Sequence, residues 1–434
     1  MPSTFPLFDP LRRGLRAEST LDEVVRAEAE DDPELIELEG AVGLLLGLGR
    51  VLLSYGLPAQ RLEEALGRLA DALDLRLDCY STPTALILTL DDGKRACTRV
   101  VRAEPGEVDL ERLTALHALV GRVERGELSP AEAARRVPRV VARAPRYGTA
   151  TSVAASTAVA AAASVLLGGT LHDVGPAAAL GLFVGLLGLV ARRAPTFARL
   201  LPAIAAGAAT FGAGAFGLAL PVQAPVLALS GIMAMLPGFT LTVATMELAT
   251  ANLVSGASRM AGALATLAQL GFGAALGHHL AGALPAGVDA VGAPLPEGAL
   301  WVAHAVGAAG FGVLLRAAPR DLPAIVAAGL IGVASARLGR LGLGPELGAL
   351  AGGITLGVLS HLHARRFDRP ALLLLSPAVM LLVPGSLGFL SVASMLEADV
   401  VEALQTGFRM TLVATSLAAG VLIATLAVPP RRAL

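Results

Sequence analysis

The segment MAMLPGFTLTVATMELATANLVSGASR, from Met233 to Arg259, returns in altered form as MLLVPGSLGFLSVASMLEADVVEALQTGFR, from Met380 to Arg409. In each copy a methionine stands four residues before a Pro-Gly pair, and a glutamate stands twelve residues before an arginine. The distance from proline to glutamate is ten residues in the first copy and thirteen in the second, so the copies have diverged. Because both lie in strongly apolar sequence, the repeat indicates a duplicated unit within a membrane domain.

The composition agrees with a membrane protein that carries a polar domain. The chain has 434 residues, of which 54% are hydrophobic and 16% charged, whereas a soluble globular chain carries about 25% charged residues. Charge is concentrated in residues 1–147, while 149–428 is mostly Ala, Leu, Gly and Val. A net charge of −1, with only three Tyr and one Trp, gives no basis for a nucleic-acid surface.

The polar part divides into a leader and a small domain. Residues 1–39 are acidic and poor in apolar side chains, which predicts a disordered or loosely helical leader without a secretory signal. Residues 40–147 combine helical periodicity with three alternating runs and an Asp-Gly turn at 92–93, which predicts a cytoplasmic α/β domain. Two cysteines fit a reducing compartment, and we expect Cys79 and Cys97 to be free thiols. The domain shows no nucleophile-base, phosphate-loop or metal-ligand pattern, so we expect no enzyme activity, catalytic residue, metal or cofactor.

The apolar part contains ten segments of about the length that crosses a bilayer as a helix. They are 149–168, 174–191, 199–218, 224–246 and 257–282 in the first half, and 299–315, 322–337, 344–362, 371–391 and 405–428 in the second. Arginines fall almost entirely in loops on the side of the polar domain, as the positive-inside rule requires; Arg337 and Arg340 are the exceptions. Both termini are therefore predicted to be cytoplasmic. Since each half has an odd number of spans, the repeats (148–284 and 285–434) are expected to have opposite orientations, as in inverted-repeat transporters.

The two Pro-Gly pairs are expected to break the fourth and ninth spans. Proline removes a helix hydrogen bond and clashes with the preceding turn, so new half-helices are predicted to start at Phe239 or Thr240 and at Ser386. Free N–H groups at such a start carry partial positive charge and suit a carboxylate. The candidate substrate-binding residues are Pro237, Gly238, Phe239, Thr240, Thr242, Pro384, Gly385 and Ser386. The alternative is that each Pro-Gly pair only kinks a packed span.

The glutamate-arginine pairs admit two interpretations. Glu247 and Glu397 are candidates to hold a solute's ammonium group or to relay a proton, as intramembrane acids do. Alternatively, they form ion pairs with Arg259 and Arg409.

The motifs resemble those of the threonine/serine exporter family. In the polar domain the similar run is GRVLLSYGLPAQRLEEALGRLADALDL, Gly49 to Leu75, and in the membrane part it is LPG followed by Glu247-Leu-Ala and LVSGASR ending at Arg259. The second LVPGS, Leu382 to Ser386, resembles the matching segment of the C-terminal half. The resemblance covers roughly Gly40 to the C-terminus. It implies export of small hydroxy amino acids driven by the proton gradient, with both halves on one chain.

We therefore expect a multi-pass inner-membrane secondary transporter that exports threonine, serine or a similar small polar amino acid in exchange for protons. Its partners would be that solute, protons and the lipid bilayer, with homo-oligomerisation left open. The alternative is a membrane-anchored sensor or hydrolase in which the polar domain carries the activity.

Overall fold

The computed structural model describes residues 33–93, 96–104, 106–288, 292–293, 295–382, 385–396 and 399–429. Pro384 and Glu397, both predicted site residues, and most of the predicted leader lie outside these ranges. The first described helix begins at Pro33, before the predicted domain boundary.

The polar domain, called the head below, is a three-stranded sheet covered by helices. Its elements are α1 (Pro33–Ser54), α2 (Ala59–Asp71), β1 (Arg76–Thr82), β2 (Ala85–Asp91), β3 (Ala96–Arg102), α3 (Leu110–Glu124) and α4 (Pro130–Val141). The strands are antiparallel in the order β1-β2-β3, as the alternating runs predict. Leu62, Leu66 and Leu69 recur at helical spacing on α2 and are fully buried in the apolar core.

Side-chain caps fix two of the head's helix starts. The Asp109 carboxylate accepts a hydrogen bond from the Arg112 N–H at 2.9 Å at the start of α3. The Ser129 hydroxyl accepts one from the Glu132 N–H at 3.3 Å at the start of α4, and the spacing of these two residues is that of a capping box. Such caps satisfy backbone donors that have no partner within the helix.

The two cysteines are free and do not lie on neighbouring strands, because β2 separates them. Cys79 pairs in register with Leu88, whereas Cys97 pairs with Leu90 on the other side of β2. Burial, together with the nearby Glu63 carboxylate, raises the pKa of the Cys79 thiol to about 12.

Cys79 is therefore expected to react slowly with disulfide reagents in the folded protein. A rise of about three pKa units from 9.0 lowers the thiolate fraction at pH 8 about 1,000-fold. The more basic thiolate is about 30-fold more nucleophilic, so the reaction rate falls by about 30-fold in total. The measurement is the rate of reaction of Cys97→Ser protein with a pyridyl disulfide at pH 8, native and in SDS. Equal rates in the two states would contradict the expected protection.

The apolar part is a bundle of helices. It contains α5 (Thr149–Leu166), α6 (Leu171–Ala191), α7 (Pro195–Gly217), α8 (Ala224–Gly231), α9 (Gly238–Ala249), α10 (Leu253–Ala281), α11 (Glu297–Leu314), α12 (Leu322–Leu343), α13 (Pro345–Phe367), α14 (Leu372–Val379), α15 (Gly385–Leu396) and α16 (Val400–Ala427). Among the described residues, eight helices are long and apolar enough to cross a membrane, and nine if the bent α8–α9 pair is one span. Short 3₁₀ turns, Met233–Met235 and Pro319–Asp321, precede α9 and α12.

Small residues let these helices pack closely. A Cβ added to Gly273 on α10 would lie 2.0 Å from the carbonyl oxygen of Ala203 on α7, and one on Gly277 would lie 2.3 Å from that of Gly207. Both distances are far below van der Waals contact, so only glycine fits there. This is the close approach by which membrane helices associate.

Candidate functional site

The first Pro-Gly pair interrupts its helix. Pro237 is the N-cap of α9, which begins at Gly238. The α8 helix ends at Gly231, and the segment Met233–Ala249, which contains the Pro-Gly pair, is bent by 46° from it. In the second copy α15 begins at Gly385. Each half-helix thus starts slightly earlier than the sequence predicts, because glycine itself takes the first helical position.

The two half-helix starts meet inside the bundle. A Cβ placed on Gly385 would lie 3.3 Å from Cα and 3.4 Å from the backbone nitrogen of Gly238, and 3.2 Å from Cβ of Leu236. The backbones of the two copies are therefore in direct contact, 147 residues apart in sequence. Two helix N-termini, each with partial positive charge, converge on one place.

A cavity of about 720 Å³ reaches this region, and its lining includes Ser386 on α15 and Arg409 on α16. The cavity lies at the end of the bundle away from the head, since it is lined by Pro345 in the first turn of α13. The residue after the other end of that helix, Asp368, contacts the head. Two predicted site residues are thus brought to one cavity.

The charged lining of the cavity is mainly basic. It contains Arg337, Arg340 and Arg409, with Glu346 the one carboxylate and His304 beside them, counting described residues. Arg337 lies over the Trp301 ring at 5.4 Å and 3.6 Å from Glu297. Neither Arg340 nor Arg409 forms an ion pair with a described residue. Such a surface suits a solute with a carboxylate group.

Arg337 and Arg340 were not among the candidate residues from the sequence. The signal that identifies them was nevertheless present, because they are the two arginines that break the positive-inside pattern. Both line the cavity at the end of the bundle away from the head, so the structure brings the two exceptions to one place.

The remaining residues of the first Pro-Gly segment are engaged locally. The Thr242 hydroxyl is buried and donates to the Gly238 carbonyl at 3.2 Å, which is a common use of threonine within a helix. Phe239 packs against the apolar core that continues into the head. Thr240 is half-buried on the first turn of α9. What these residues do in transport stays a prediction.

Glu247 and Arg259 form a buried pair at the other end of the bundle. Nε of Arg259 lies 3.0 Å from one carboxylate oxygen of Glu247 and donates to the other at 3.1 Å. The Glu247 side chain is only 1% exposed. The pair also contacts the head: the Ala59 N–H donates to Glu247 at 2.8 Å, and Arg259 donates to the Leu57 carbonyl at 3.1 Å. Local periodicity gives no signal for these long-range contacts.

Comparison with known proteins identifies the family. A family model described as "Putative threonine/serine exporter" matches residues 43–281, and a second, "Threonine/Serine exporter, ThrE", matches residues 300–427. The chain belongs to the threonine/serine exporter family. The resemblance stated from the sequence is thereby confirmed, and the apolar helices are those of a multi-pass membrane protein in a family of transporters.

The curated proteins similar to this chain include one from a bacterium and three from yeasts. It is 28% identical over 364 residues to a "Probable threonine/serine exporter" of Mycobacterium tuberculosis, covering 79% of this chain and 67% of the relative. It is 26% identical over 263 residues to "Pheromone-regulated membrane protein 10" of Kluyveromyces lactis, covering 59% of this chain and 27% of that protein. The chain spans about a quarter to a third of the length of the yeast relatives it matches. No solved structure matches it significantly.

Proposed function

We propose that this chain is a proton-coupled secondary transporter of the inner membrane that exports threonine, serine or a similar small polar amino acid. The observation that carries the proposal is the contact between the two half-helix starts beside a basic cavity. In inverted-repeat transporters, broken helices meet near the midplane and their N-termini face an anionic group of the substrate. Family membership favours this function over a sensor or hydrolase carried by the head.

The proposed architecture has ten spans in two inverted repeats of five, with both termini cytoplasmic. Contacts between the head and the membrane part support this architecture. If α8–α9 and α14–α15 each cross the membrane once, these contacts occur after an even number of membrane crossings along the chain. They follow four, six, eight and ten crossings respectively, in the pairs Ser81–Ser255 (3.1 Å), Leu110–Leu315 (3.0 Å), His117–Asp368 (3.4 Å) and Arg61–Thr425 (3.4 Å). The two family matches end and begin at 281 and 300, on either side of the proposed boundary between repeats at 148–284 and 285–434. The proposed head, 40–147, precedes them, and its first helix extends back to Pro33.

The proposed solute site lies where the cavity meets α15. Ser386 supplies a hydroxyl, the N-terminus of α15 at Gly385 supplies backbone donors, and Arg409 supplies a guanidinium for the solute's carboxylate. The first Pro-Gly segment, including Pro237 and Thr240, is proposed to take part through the contact of Gly238 with Gly385, since it does not line the cavity itself. Glu247 is proposed as the group that exchanges the proton, paired with Arg259. Pro384 and Glu397 retain their predicted roles.

The test is gradient-driven flux in proteoliposomes. With the lumen acid, labelled threonine or serine is expected to accumulate through molecules whose head faces the bath, at least 10-fold above protein-free liposomes. Glu247→Gln is expected to abolish the dependence on the gradient, because a neutral amide cannot exchange a proton. Glu402→Gln, an exposed glutamate on α16, is the matched control and should behave as wild type.

Two results would contradict this function. Flux that ignores the pH gradient would exclude proton exchange. Absence of flux for every amino acid tried would exclude this solute class.

A further inference from the structure

The N-terminal turn of α2 in the head is capped by the membrane part. The first N–H of α2, from Ala59, donates to Oε1 of Glu247 at 2.8 Å, 188 residues away, and no side chain among the described residues of the head caps this helix start. Ala59 and Glu247 are 0% and 1% exposed. A helix N-terminus is usually capped by a residue next to it in sequence. Here the cap is the same carboxylate that is proposed to exchange the proton.

Arg61 extends this contact one step further along α2. Its Nη2 lies 3.2 Å from Nε2 of His361 on α13 and 3.4 Å from the Thr425 hydroxyl on α16. Its side chain is 15% exposed, and its one ion pair among described residues is with Glu64 at 3.5 Å. Burial lowers the pKa of this guanidinium, although it stays charged. The head therefore places a desolvated cation against α13 and α16, and α16 packs beside α9, the helix that carries Glu247.

A small pocket lies between Glu247 and Arg61. Its volume is about 20 Å³, room for about one water molecule. Hydroxyl and amide groups complete its polar lining, which comes from the head and from two membrane helices: Gln60, Arg61, Glu247, Thr250 and Thr425. A carboxylate, a guanidinium and hydroxyls within one pocket are complementary to the ammonium, carboxylate and hydroxyl groups of a small hydroxy amino acid.

One oxygen of Glu247 has spare capacity. The N–H of Arg259 Nε is directed at Oε1 of Glu247. The other carboxylate oxygen, Oε2, is fully buried and lies 3.0 Å from that nitrogen, but it accepts no hydrogen bond from the described residues. Buried carboxylate oxygens normally accept hydrogen bonds. Beyond its 3.0 Å ion pair with Arg259, Oε2 can therefore accept a hydrogen bond from a further donor.

We propose that this pocket is the cytoplasmic amino-acid site of the transporter and that the head closes it as a gate. In the closed form the Ala59 N–H, with the partial positive charge of a helix start, takes the place of the solute's ammonium group on Glu247. When α2 withdraws, the ammonium replaces it and Arg61 binds the carboxylate. An amino acid needs several times the closed volume, so withdrawal is required. This inference rests on the proposed function and gives the head a direct part in it.

The gate is tested by thiol accessibility, which does not depend on flux. The full chain carries Cys79→Ser, Cys97→Ser and the reporter Thr250→Cys, and a membrane-impermeant thiol reagent is added from the head side. Ala59→Pro removes the donor to Glu247 while preserving α2, because proline is favoured at the first helical position and the φ of −57° and ψ of 141° at Pro58 suit a residue before proline. Labelling of the reporter thiol at position 250 is expected to be at least 10-fold faster in the Ala59→Pro variant than in the parent with alanine at position 59.

The control is Ala59→Gly, which keeps the N–H and should change labelling less than 2-fold. Equal labelling rates in Ala59→Pro and the parent would overturn the gate.

The ligand class is tested in the Ala59→Pro background. Millimolar serine or threonine is expected to slow labelling at least 3-fold, whereas ethanolamine, which lacks the carboxylate, and lactate, which lacks the ammonium group, should not. Arg61→Gln should abolish the protection. Active flux without protection by serine would overturn this site and leave the proposed function standing. Protection without flux would support the site and count against transport.

Discussion

Arg409→Gln is expected to lower threonine and serine transport at least about 10-fold at low solute concentration. Arg409 lines the same cavity as Ser386, where its guanidinium is proposed to bind the solute's carboxylate. Arg409 is an exposed residue of α16, and a hydrogen bond to a charged group contributes about 1.5–3 kcal/mol. At about 1.4 kcal/mol for each factor of ten, the loss spans roughly 10-fold to more than 100-fold.

The measurement is initial flux against solute concentration in proteoliposomes, where the half-saturating concentration should rise. Arg409→Lys retains the charge without the planar, forked geometry of guanidinium, so it should recover only part of the loss. The matched control is Arg199→Gln, an exposed arginine on α7. Transport by Arg409→Gln at the wild-type rate would show that the solute does not pass through this cavity.

The largest expected effect on stability comes from Arg259→Gln. This change leaves the carboxylate of Glu247 buried, at 1% exposure, without its charged partner, and it removes the donor to the Leu57 carbonyl. Breaking a buried pair from one side destabilises by about 3–5 kcal/mol. The head should therefore detach or unfold at a lower temperature than in the wild type.

The measurement is the thermal loss of monodisperse full-length protein in detergent. The double variant Glu247→Gln/Arg259→Gln should recover most of the stability, because no uncompensated charge is left. Arg122→Gln is the control, since its pair with Glu127 at 3.7 Å is exposed on both sides and is worth about 0–1 kcal/mol. Equal loss in Arg122→Gln and Arg259→Gln would contradict a structural role for the buried pair.

Local chemistry made part of this structure predictable. The three strands of the head follow alternating apolar residues, the cap at Ser129 follows from its spacing to Glu132, and the interrupted helix at Gly238 follows from the proline before it. Each of these signals lies within a few residues, where backbone geometry and hydrogen bonding act directly.

Contacts between distant segments were not predictable in the same way. The bond from Ala59 to Glu247 joins residues 188 apart, and no local periodicity encodes it. The cavity brings α12, α15 and α16 together, so Arg340 can be placed beside Arg409 only once their packing is known. The positive-inside rule marked Arg340 as unusual but gave no partner for it.

The contact between Gly238 and Gly385 has a mechanical consequence. Where side chains separate two helices, rotamer changes can absorb a small shift of one against the other. Here backbone meets backbone with no side chain from either glycine between them, so a shift at one half-helix start is passed to the other without such buffering. The two Pro-Gly segments therefore share a single pivot, and reorientation of one carries the other with it.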